Sequence, residues 1–338
     1  APLALSVGQD QYLYGTNEYV PVYDTRNEVT SIADVMALFR NPKVKAPMTS
    51  GRRVDYIASR KISIPVNREN VIRSGILDAK YASQIPDSII ITIPKDKDML
   101  TKPELFMLDL LSCYQWDRPI NLLSMGGDIN IGIKEYLEYE GYSFKLIPIK
   151  NKTTTTVAGF VDTDELYRKM TQVYKWDAVA AGDYFIDYQN QYTHMGVLSL
   201  RGMFVTSANA FIKAGETDRA MEMLDKCREV TRDFPLEGVP VGFSGNDYMV
   251  ISMVEDYYKL GAADKARELG EEMAEQLLIS ANFYSRFYSY AKEDFELIGN
   301  YIYFLAEVME KGGDKELGKQ LKDGFMAMLG VSPEESRG

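Results

Sequence analysis

Residues 204–227 read FVTSANAFIKAGETDRAMEMLDKC, and residues 250–273 read VISMVEDYYKLGAADKARELGEEM. Both stretches place apolar residues three and four positions apart, which predicts an amphipathic helix on each side of a central glycine. Gly215 and Gly261 supply the two turns, because glycine accepts the left-handed conformation that ends a helix. The sequence therefore predicts a helical hairpin that occurs twice.

The two hairpins resemble tetratricopeptide repeats, which need small, aromatic, turn, small and large residues in that order. These positions hold Ala208, Phe211, Gly215, Ala220 and Leu224 in the first copy, and Val254, Tyr257, Gly261, Ala266 and Gly270 in the second. The turn glycines lie 46 residues apart, whereas a regular repeat has about 34 residues, so we expect a surface loop at residues 235–246. A third, degenerate hairpin turns at Gly312 or Gly313. Repeats of this kind usually bind other proteins.

The composition is that of an acidic globular protein. Its 338 residues are 46% hydrophobic, which is enough to build cores in two or three domains. There are 38 Lys and Arg against 49 Asp and Glu, so the net charge is −11 and the pI is about 4.9. We therefore exclude nucleic acid as the expected partner, because its phosphates would be repelled.

The cysteine count and the hydropathy exclude further classes of protein. Cys113 and Cys227 are the only cysteines, which argues against a disulfide framework or a zinc site and predicts two buried thiols. No stretch reaches the about 20 apolar residues that a membrane span requires, so we expect a soluble chain. The chain begins at Ala1 without an initiator Met, which we interpret as a fragment or a processed product.

The predicted fold class is α+β. Residues 1–150 predict a small mixed α/β domain, residues 151–160 a polar linker, and residues 161–332 an all-α, tetratricopeptide-like superhelix. In the first domain, Ser31 and Thr101 are predicted to begin helices, the latter through a capping box with Glu104. Alternating or β-branched runs predict strands, and the remaining expected elements are strands over 61–66, 88–93, 120–123 and 144–149 and a helix over 133–139.

Two motifs are candidate sites for binding an ion. Asp162 and Asp164 have the spacing with which many sugar-nucleotide transferases hold a divalent cation. Because Glu165 and an apolar helical pattern follow at once, we favour a helix cap at Asp162 and keep the pair only as weak metal candidates. Residues 124–128, SMGGD, could bind a phosphate between a strand and a helix, but they lack the spacing of a nucleotide fingerprint, and a simple turn is favoured.

Catalytic groups are scarce in this sequence. His194 is the single histidine, so no histidine-paired metal site or two-histidine relay is possible, and no Gly-x-Ser-x-Gly elbow supplies a nucleophile. We expect His194 to be structural. The sequence predicts that this fragment is not an enzyme and uses no cofactor.

Aromatic residues form the candidate binding site. Tyr occurs 23 times, with one cluster between residues 12 and 23 and another between residues 283 and 290. Such rings anchor peptides or stack on sugars, although helical spacing makes packing between helices the commoner explanation. Five residues are the predicted binding residues: Tyr284, Phe287, Tyr288, Tyr257 and Phe211.

Several segments resemble a known family. They are residues 100–105, LTKPEL, running to 116–120, WDRPI; residues 135–141, EYLEYEG; and residues 161–164, VDTD, running to Lys175 and Trp176. In this order they are similar to the soluble C-terminal region of bacterial multi-pass membrane proteins that resemble protein O-mannosyltransferases, catalogued as domain of unknown function 2723. The similarity covers most of residues 9–280.

The resemblance implies a parent protein whose membrane part transfers a sugar from a lipid-linked donor. No membrane helix or catalytic loop of that part is present, so no catalytic residue carries over to this sequence. The chain would be the appended domain, on the extracytoplasmic side of the inner membrane and hence in the periplasm of a two-membrane bacterium.

Two hypotheses follow from these observations. The preferred one is a non-catalytic interaction domain that docks to its own membrane part and binds an acceptor polypeptide or another protein. The alternative is a self-standing glycan-binding or glycan-processing protein that uses the tyrosine clusters and the pair Asp162 and Asp164.

Overall fold

The computed structural model describes residues 5–9, 12–13, 19–23, 28–48, 51, 53–123, 129–151, 159–182, 197–236 and 246–328. The chain divides into two compact units, Ala1–Asp162 and Thr163–Gly338. The first unit is mixed α/β and the second is helical, as the sequence predicts. The division after Asp162 lies two residues beyond the predicted linker.

The first unit is built from short strands and helices. The strands are β1 (Tyr19–Pro21), β2 (Val29–Ser31), β3 (Ala46–Pro47), β4 (Arg53–Val54), β5 (Lys61–Pro65), β6 (Ser88–Thr92), β7 (Met99–Thr101), β8 (Asn121–Leu122), β9 (Leu137–Tyr139) and β10 (Phe144–Leu146). The helices are α1 (Ile32–Arg40), α2 (Arg68–Arg73) and α3 (Lys102–Ser112), with 3₁₀ turns at Ala79–Gln84 and Ile133–Tyr136.

The described strands form small separate sheets. One sheet has the order β2-β5-β6, with β2 parallel to β5 and β5 antiparallel to β6. A second is the antiparallel sheet β8-β10-β9, while β1 pairs with β7 and β3 with β4. Along β5 and β6 every second residue is buried, as period-two alternation predicts for a sheet with one solvated face.

The predicted helix starts are confirmed. Ser31 caps α1, and its hydroxyl accepts a hydrogen bond of 3.1 Å from the backbone N–H of Asp34. Thr101 begins α3 through the expected capping box with Glu104. Both helices turn an apolar face toward the common core of the unit, which contains Met36 and Leu108 at 0% exposure.

One predicted helix is wrong. Residues 133–139 form a single 3₁₀ turn, Ile133–Tyr136, and then the strand β9. All three β9 residues are buried because β9 pairs with β10 on one edge and its residue Glu138 forms a bridge with Phe160 on the other. Pairing with distant segments thus overrides the local helical preference of EYLEYE. The strands predicted at 120–123 and 144–149 are present in shorter form, as β8 and β10.

Tyr136 closes the outer edge of β6. Its hydroxyl accepts a hydrogen bond from the N–H of Ile90 at 3.2 Å and donates one to the C=O of Ile90 at 3.0 Å. We expect Tyr136→Phe to lower the free energy of unfolding by about 1 kcal/mol, because both backbone groups lose a partner in a part-buried place. Chemical denaturation measures the change. Tyr19→Phe, at a ring that is 55% exposed, serves as the control, and an equal loss in both variants would contradict the assignment.

The second unit consists of helices. They are α4 (Thr163–Arg168), continued by a π turn at Lys169–Val173, then α5 (Asp177–Ala180), α6 (Val197–Ala214), α7 (Thr217–Val230), α8 (Asn246–Lys259), α9 (Ala263–Ser285), α10 (Lys292–Gly312) and α11 (Lys315–Met328). The predicted loop at 235–246 and His194 fall largely or wholly outside the described residues. Among the described helices, none has the length and apolar content needed to cross a membrane.

Helices α6 to α11 form three stacked hairpins. Each helix packs on the next, and the first helices of successive hairpins also pack on one another, α6 on α8 and α8 on α10. The residues at the predicted positions of close approach, Ala208, Ala220 and Ala266, are all 0% exposed. Small side chains there let neighbouring helices come close, which is why the sequence pattern locates the hairpins correctly.

The three hairpin turns are equivalent. Gly215, Gly261 and Gly313 have φ of 78°, 77° and 109°. In each turn the residue after the glycine donates its N–H to the carbonyl five residues earlier, at 2.9 Å for Glu216 to Phe211, which is the helix-ending motif that a left-handed glycine permits. The third turn is therefore at Gly313 rather than Gly312.

The two thiols differ in burial. Cys227 is fully buried in the second unit, and burial raises the pKa of its thiol to about 12. Cys113, predicted to be buried, is half-buried at the end of α3. It lies where α3 gives way to a loop, so the apolar pattern of the helix does not extend over it.

Candidate binding surface

A cluster of exposed apolar side chains lies at the end of α9 and in the turn that leads to α10. We call it the aromatic patch. Its members, with their exposed fractions, are Ile279 (62%), Phe283 (55%), Phe287 (49%), Tyr288 (44%) and Tyr290 (93%). Large apolar side chains are seldom exposed together on a monomeric protein unless they meet a partner.

The backbone of the patch is ordered by hydrogen bonds. The N–H groups of Arg286 and Phe287 donate to the carbonyls of Phe283 and Tyr284 at 3.2 and 3.0 Å, and the N–H of Tyr290 donates to Phe287 at 2.8 Å. These bonds continue the last turn of α9 beyond Ser285. The rings therefore project from a defined backbone.

Ring contacts also position the side chains of the patch. The ring centroids of Phe283 and Phe287 are 5.2 Å apart, and Tyr284 stands edge-on to Phe283 at 5.2 Å. Tyr288 makes an edge contact of 5.6 Å with Phe295, which is buried at the start of α10. One side of the patch is thus anchored in the core while the other faces solvent.

The patch carries little charge in a strongly acidic protein. Between Leu277 and Ala291 the sequence has no Asp or Glu, and the one charged side chain is the exposed Arg286. The full chain has a net charge of −11. An apolar partner that binds to the patch would therefore desolvate few carboxylates.

The predicted binding residues fall into two groups. Tyr284, Phe287 and Tyr288 lie together in or beside the patch, with Tyr284 half-buried. Phe211 and Tyr257 are 0% exposed inside the first and second hairpins, where each occupies the aromatic position of its repeat. Both rings pack between helices, and neither is exposed to a partner.

Tyr257 also has a polar role between the first and second hairpins. Its hydroxyl donates to Asp225 at 3.0 Å, and the same carboxylate accepts from Lys265 at 2.7 Å. Burial, together with the nearby Asp225, raises the pKa of Tyr257 well above its usual range. The hydroxyl stays protonated and links α7 to α8.

The two weak metal candidates are each held by a cation. Asp162 is buried in the first unit and lies 2.9 Å from Lys80, while Asp164 belongs to the second unit and lies 3.0 Å from Arg219. In the part of the chain that the structure describes, no group of three or more His, Cys, Asp or Glu side chains is placed to hold a metal ion. Residues 124–128, the weak phosphate candidate, lie outside the described ranges.

A cavity of about 370 Å³ lies between the first two hairpins, and no sequence pattern pointed to it. The guanidinium of Arg228 in its wall pairs with Glu268 and Glu272 at 3.3 Å each. Arg201, also in the wall, donates to the carbonyl of Pro235 at 2.8 Å. Because these cations already bind groups of the protein, the aromatic patch is the stronger candidate for binding a partner.

Comparison with known proteins gives one similarity. Residues 1–165 match the model of a family described as TMEM260-associated domain 2. Neither the comparison with curated proteins nor that with solved structures found a match. The first unit is therefore similar to a domain that accompanies a membrane protein, and the matched region ends three residues after that unit does.

Proposed function

We propose that this chain is a non-catalytic, extracytoplasmic domain of a membrane-bound, glycosyltransferase-like protein, and that it binds a polypeptide through the aromatic patch. The observation that carries the proposal is the exposure of Phe283, Phe287 and Tyr288 on an ordered turn, in an acid-free stretch of an acidic protein.

The spacing of the patch suits a polypeptide. Ile279, Phe283 and Phe287 follow one another at intervals of four residues, so they form one stripe along the end of α9. Aromatic rings bury a large area and lose little conformational freedom on binding, which makes them frequent anchors of protein interfaces. The exposed Arg286 beside them offers a guanidinium to carbonyl or carboxylate groups of the bound chain.

The chemistry of the patch supports binding rather than catalysis. Its side chains are apolar or phenolic, with serine hydroxyls, the amide of Asn282 and the Arg286 guanidinium around them. These groups do not include a nucleophile paired with a base, which acyl or glycosyl transfer requires. The sugar-transfer step would belong to the membrane part of the parent protein.

Two similarities support the membrane association. The first unit matches a domain described as associated with a membrane protein. The longer resemblance to the C-terminal region of mannosyltransferase-like membrane proteins would put such a domain outside the cytoplasm, in the periplasm of a two-membrane bacterium. We infer that the first unit docks to the membrane part and that the helical hairpins present the patch to an acceptor polypeptide.

Replacing two rings tests the patch. We expect Phe283→Ser combined with Phe287→Ser to weaken binding of peptides that carry aromatic or leucine pairs four residues apart by at least about tenfold, because each ring is an expected anchor. Fluorescence anisotropy with a panel of labelled synthetic peptides measures the dissociation constants. Far-ultraviolet circular dichroism checks that the helices persist.

The control removes exposed apolar groups from the first unit. Tyr19→Ser with Met99→Ser changes two side chains of comparable exposure and should leave peptide affinity unchanged. Equal weakening in both double variants would refute the assignment. Binding of oligosaccharides instead of peptides, with the same dependence on Phe283 and Phe287, would favour the glycan-binding alternative.

A further inference from the structure

Three charged side chains lie close together and buried in the sheet β8-β10-β9 of the first unit. The ammonium of Lys145 on β10 lies 2.9 Å from Glu138 on β9 and 2.8 Å from Glu140, which directly follows β9. Less than a tenth of each side chain is exposed. We call these residues the acid–lysine cluster.

The other polar groups around the cluster come from neighbouring elements. The side-chain amide of Asn121 on β8 donates to Glu140 at 3.0 Å. Asp162, at the end of the segment beside β9, is close enough to Glu138 to repel its charged form. Asp162 is itself paired at 2.9 Å with Lys80, from the 3₁₀ turn that also contains Tyr81.

Glu138, Glu140 and Lys145 together comprise two carboxyl groups and one ammonium group. With both glutamates ionised, these three side chains carry one negative charge in excess beside Asp162, and with one of them protonated their charges balance. Burial raises the pKa of Glu138 to about 7, against a partial lowering by Lys145, and repulsion from Glu140 and Asp162 adds to the rise. Glu140 has the amide donor Asn121, so the proton belongs on Glu138.

Lys145 keeps its charge throughout the neutral range. Burial alone would lower the pKa of Lys145, but the attraction of Glu138 and Glu140 outweighs burial and raises it. The proton that exchanges near neutrality therefore belongs to the carboxyl groups.

The segment nearest to the excess charge is the one that leaves the first unit. Phe160 accepts a hydrogen bond from the N–H of Tyr139 at 2.8 Å and donates its own N–H to Leu137 at 3.1 Å. Its ring meets Tyr81 edge-on at 5.4 Å. Two residues later the unit ends at Asp162, so this pairing fixes the point where the chain departs toward the helical unit.

We propose that the acid–lysine cluster is a proton-linked latch, which holds residues 160–162 against β9 while Glu138 carries a proton and loosens them when Glu138 ionises. Loosening moves Asp162 away from the excess charge and admits water to the glutamates. The latch makes the pairing of residues 160–162 with β9 dependent on pH.

The direction of the pH effect follows from linkage. The closed state binds a proton at Glu138 more tightly than the open state, in which the carboxyl returns toward its ordinary pKa of 4.5. Closure is therefore most stable below that pH and loses stability as the pH rises to about 7. Above that value the carboxyl is ionised in both states, and the equilibrium stops changing.

Hydrogen exchange in the full chain tests the latch. The quantity measured is the protection factor of the peptic fragment that contains Phe160, corrected for the intrinsic exchange rate. Between pH 5 and 7 it should fall at least about tenfold more than the protection factor of the fragment covering β5. Above pH 7 it should level off. Glu138→Gln should remove this fall because the side chain can no longer ionise. Glu140→Gln should also remove it, since one carboxylate then balances one ammonium.

The matched control is Glu135→Gln. Glu135 pairs with Lys150 at 2.9 Å at the surface of the same unit, so its variant should keep the unmodified pH profile. Carboxyl ¹³C NMR adds a direct measurement, with the signal that disappears in Glu138→Gln expected to titrate above pH 6. A midpoint below 5, or an unchanged exchange profile in both glutamine variants of the cluster, would overturn the proposal.

Discussion

Glu104→Gln is expected to lower the free energy of unfolding of the first unit by about 3–5 kcal/mol. Glu104 is 0% exposed, and every neighbour of its carboxylate is a donor. One oxygen accepts from the N–H of Thr101 at 2.9 Å, and the other accepts from the N–H of Asn130 at 2.7 Å and pairs with Lys97 at 2.9 Å. A glutamine amide would turn an NH₂ toward one of these donors and leave Lys97 without its counter-charge.

The two tryptophans allow the unfolding of each unit to be followed separately. Trp116 is buried in the first unit and Trp176 in the second, and the sequence has no other. In a Trp176→Phe background, urea unfolding monitored by fluorescence reports on the first unit. Glu69→Gln, also in the first turn of a helix but exposed, should cost less than about 0.5 kcal/mol. A loss below about 1 kcal/mol for Glu104→Gln would show that the site tolerates the missing charge.

Gly132→Ala is expected to destabilise the first unit by about 3 kcal/mol or more. Gly132 has φ of 88°, and a Cβ there would lie 2.4 Å from the carbonyl oxygen and 2.6 Å from the nitrogen of Thr92. Both atoms belong to the backbone of β6, so no side-chain rotation can relieve the overlap. The neighbours Ile131 and Ile133 are buried, which keeps the loop from moving away without exposing them.

Gly75→Ala separates the two causes of this loss. Gly75 has a similar φ of 71°, but a Cβ there would meet nothing within 4 Å. We expect a cost of about 1 kcal/mol for the left-handed conformation alone. The difference between the two variants, measured by the same fluorescence assay, gives the contribution of close packing on β6. Equal losses would mean that the loop at Gly132 relaxes away from the strand.

Local signals in the sequence predicted much of the fold. Ser31 and Thr101 mark helix starts because their side chains bind the first free N–H groups of the helix, which is a contact over three residues. Gly215 and Gly261 mark hairpin turns because glycine accepts the left-handed conformation that ends a helix, which is also a local effect. Gly313 could be separated from Gly312 only with the structure, since both fit the pattern and the deciding bond is the one from Asp314 to Met309.

Features that depend on distant contacts could not be predicted. The strand β9 exists because β10 and Phe160 pair with it, while its own residues favour a helix. The same pairing brings Lys145 between Glu138 and Glu140, so a stretch that resembles a charged helix surface becomes a buried ionic cluster. Neither the pairing nor the burial can be recognised in the local sequence pattern.

The five predicted binding residues lie in two different environments. Tyr284, Phe287 and Tyr288 lie at the exposed end of α9, whereas Phe211 and Tyr257 are core residues. Both groups have helical spacing, and spacing does not distinguish a ring that faces a partner helix from one at the exposed end of a helix. Local acid content does not separate them either, because residues 188–215 around Phe211 lack Asp and Glu just as residues 277–291 around Phe287 do.

The hydroxyl of Tyr136 also bears on how the protein behaves at high concentration. The strand it closes reads SIIIT, an uncharged β-branched segment of the kind that adds to other copies of itself in amyloid-like stacks. With the outward N–H and C=O of Ile90 bound to a side chain of the same molecule, an incoming strand finds neither a donor nor an acceptor at the centre of that edge. The phenolic hydroxyl thereby occupies the edge position through which a strand of a second copy would extend the sheet.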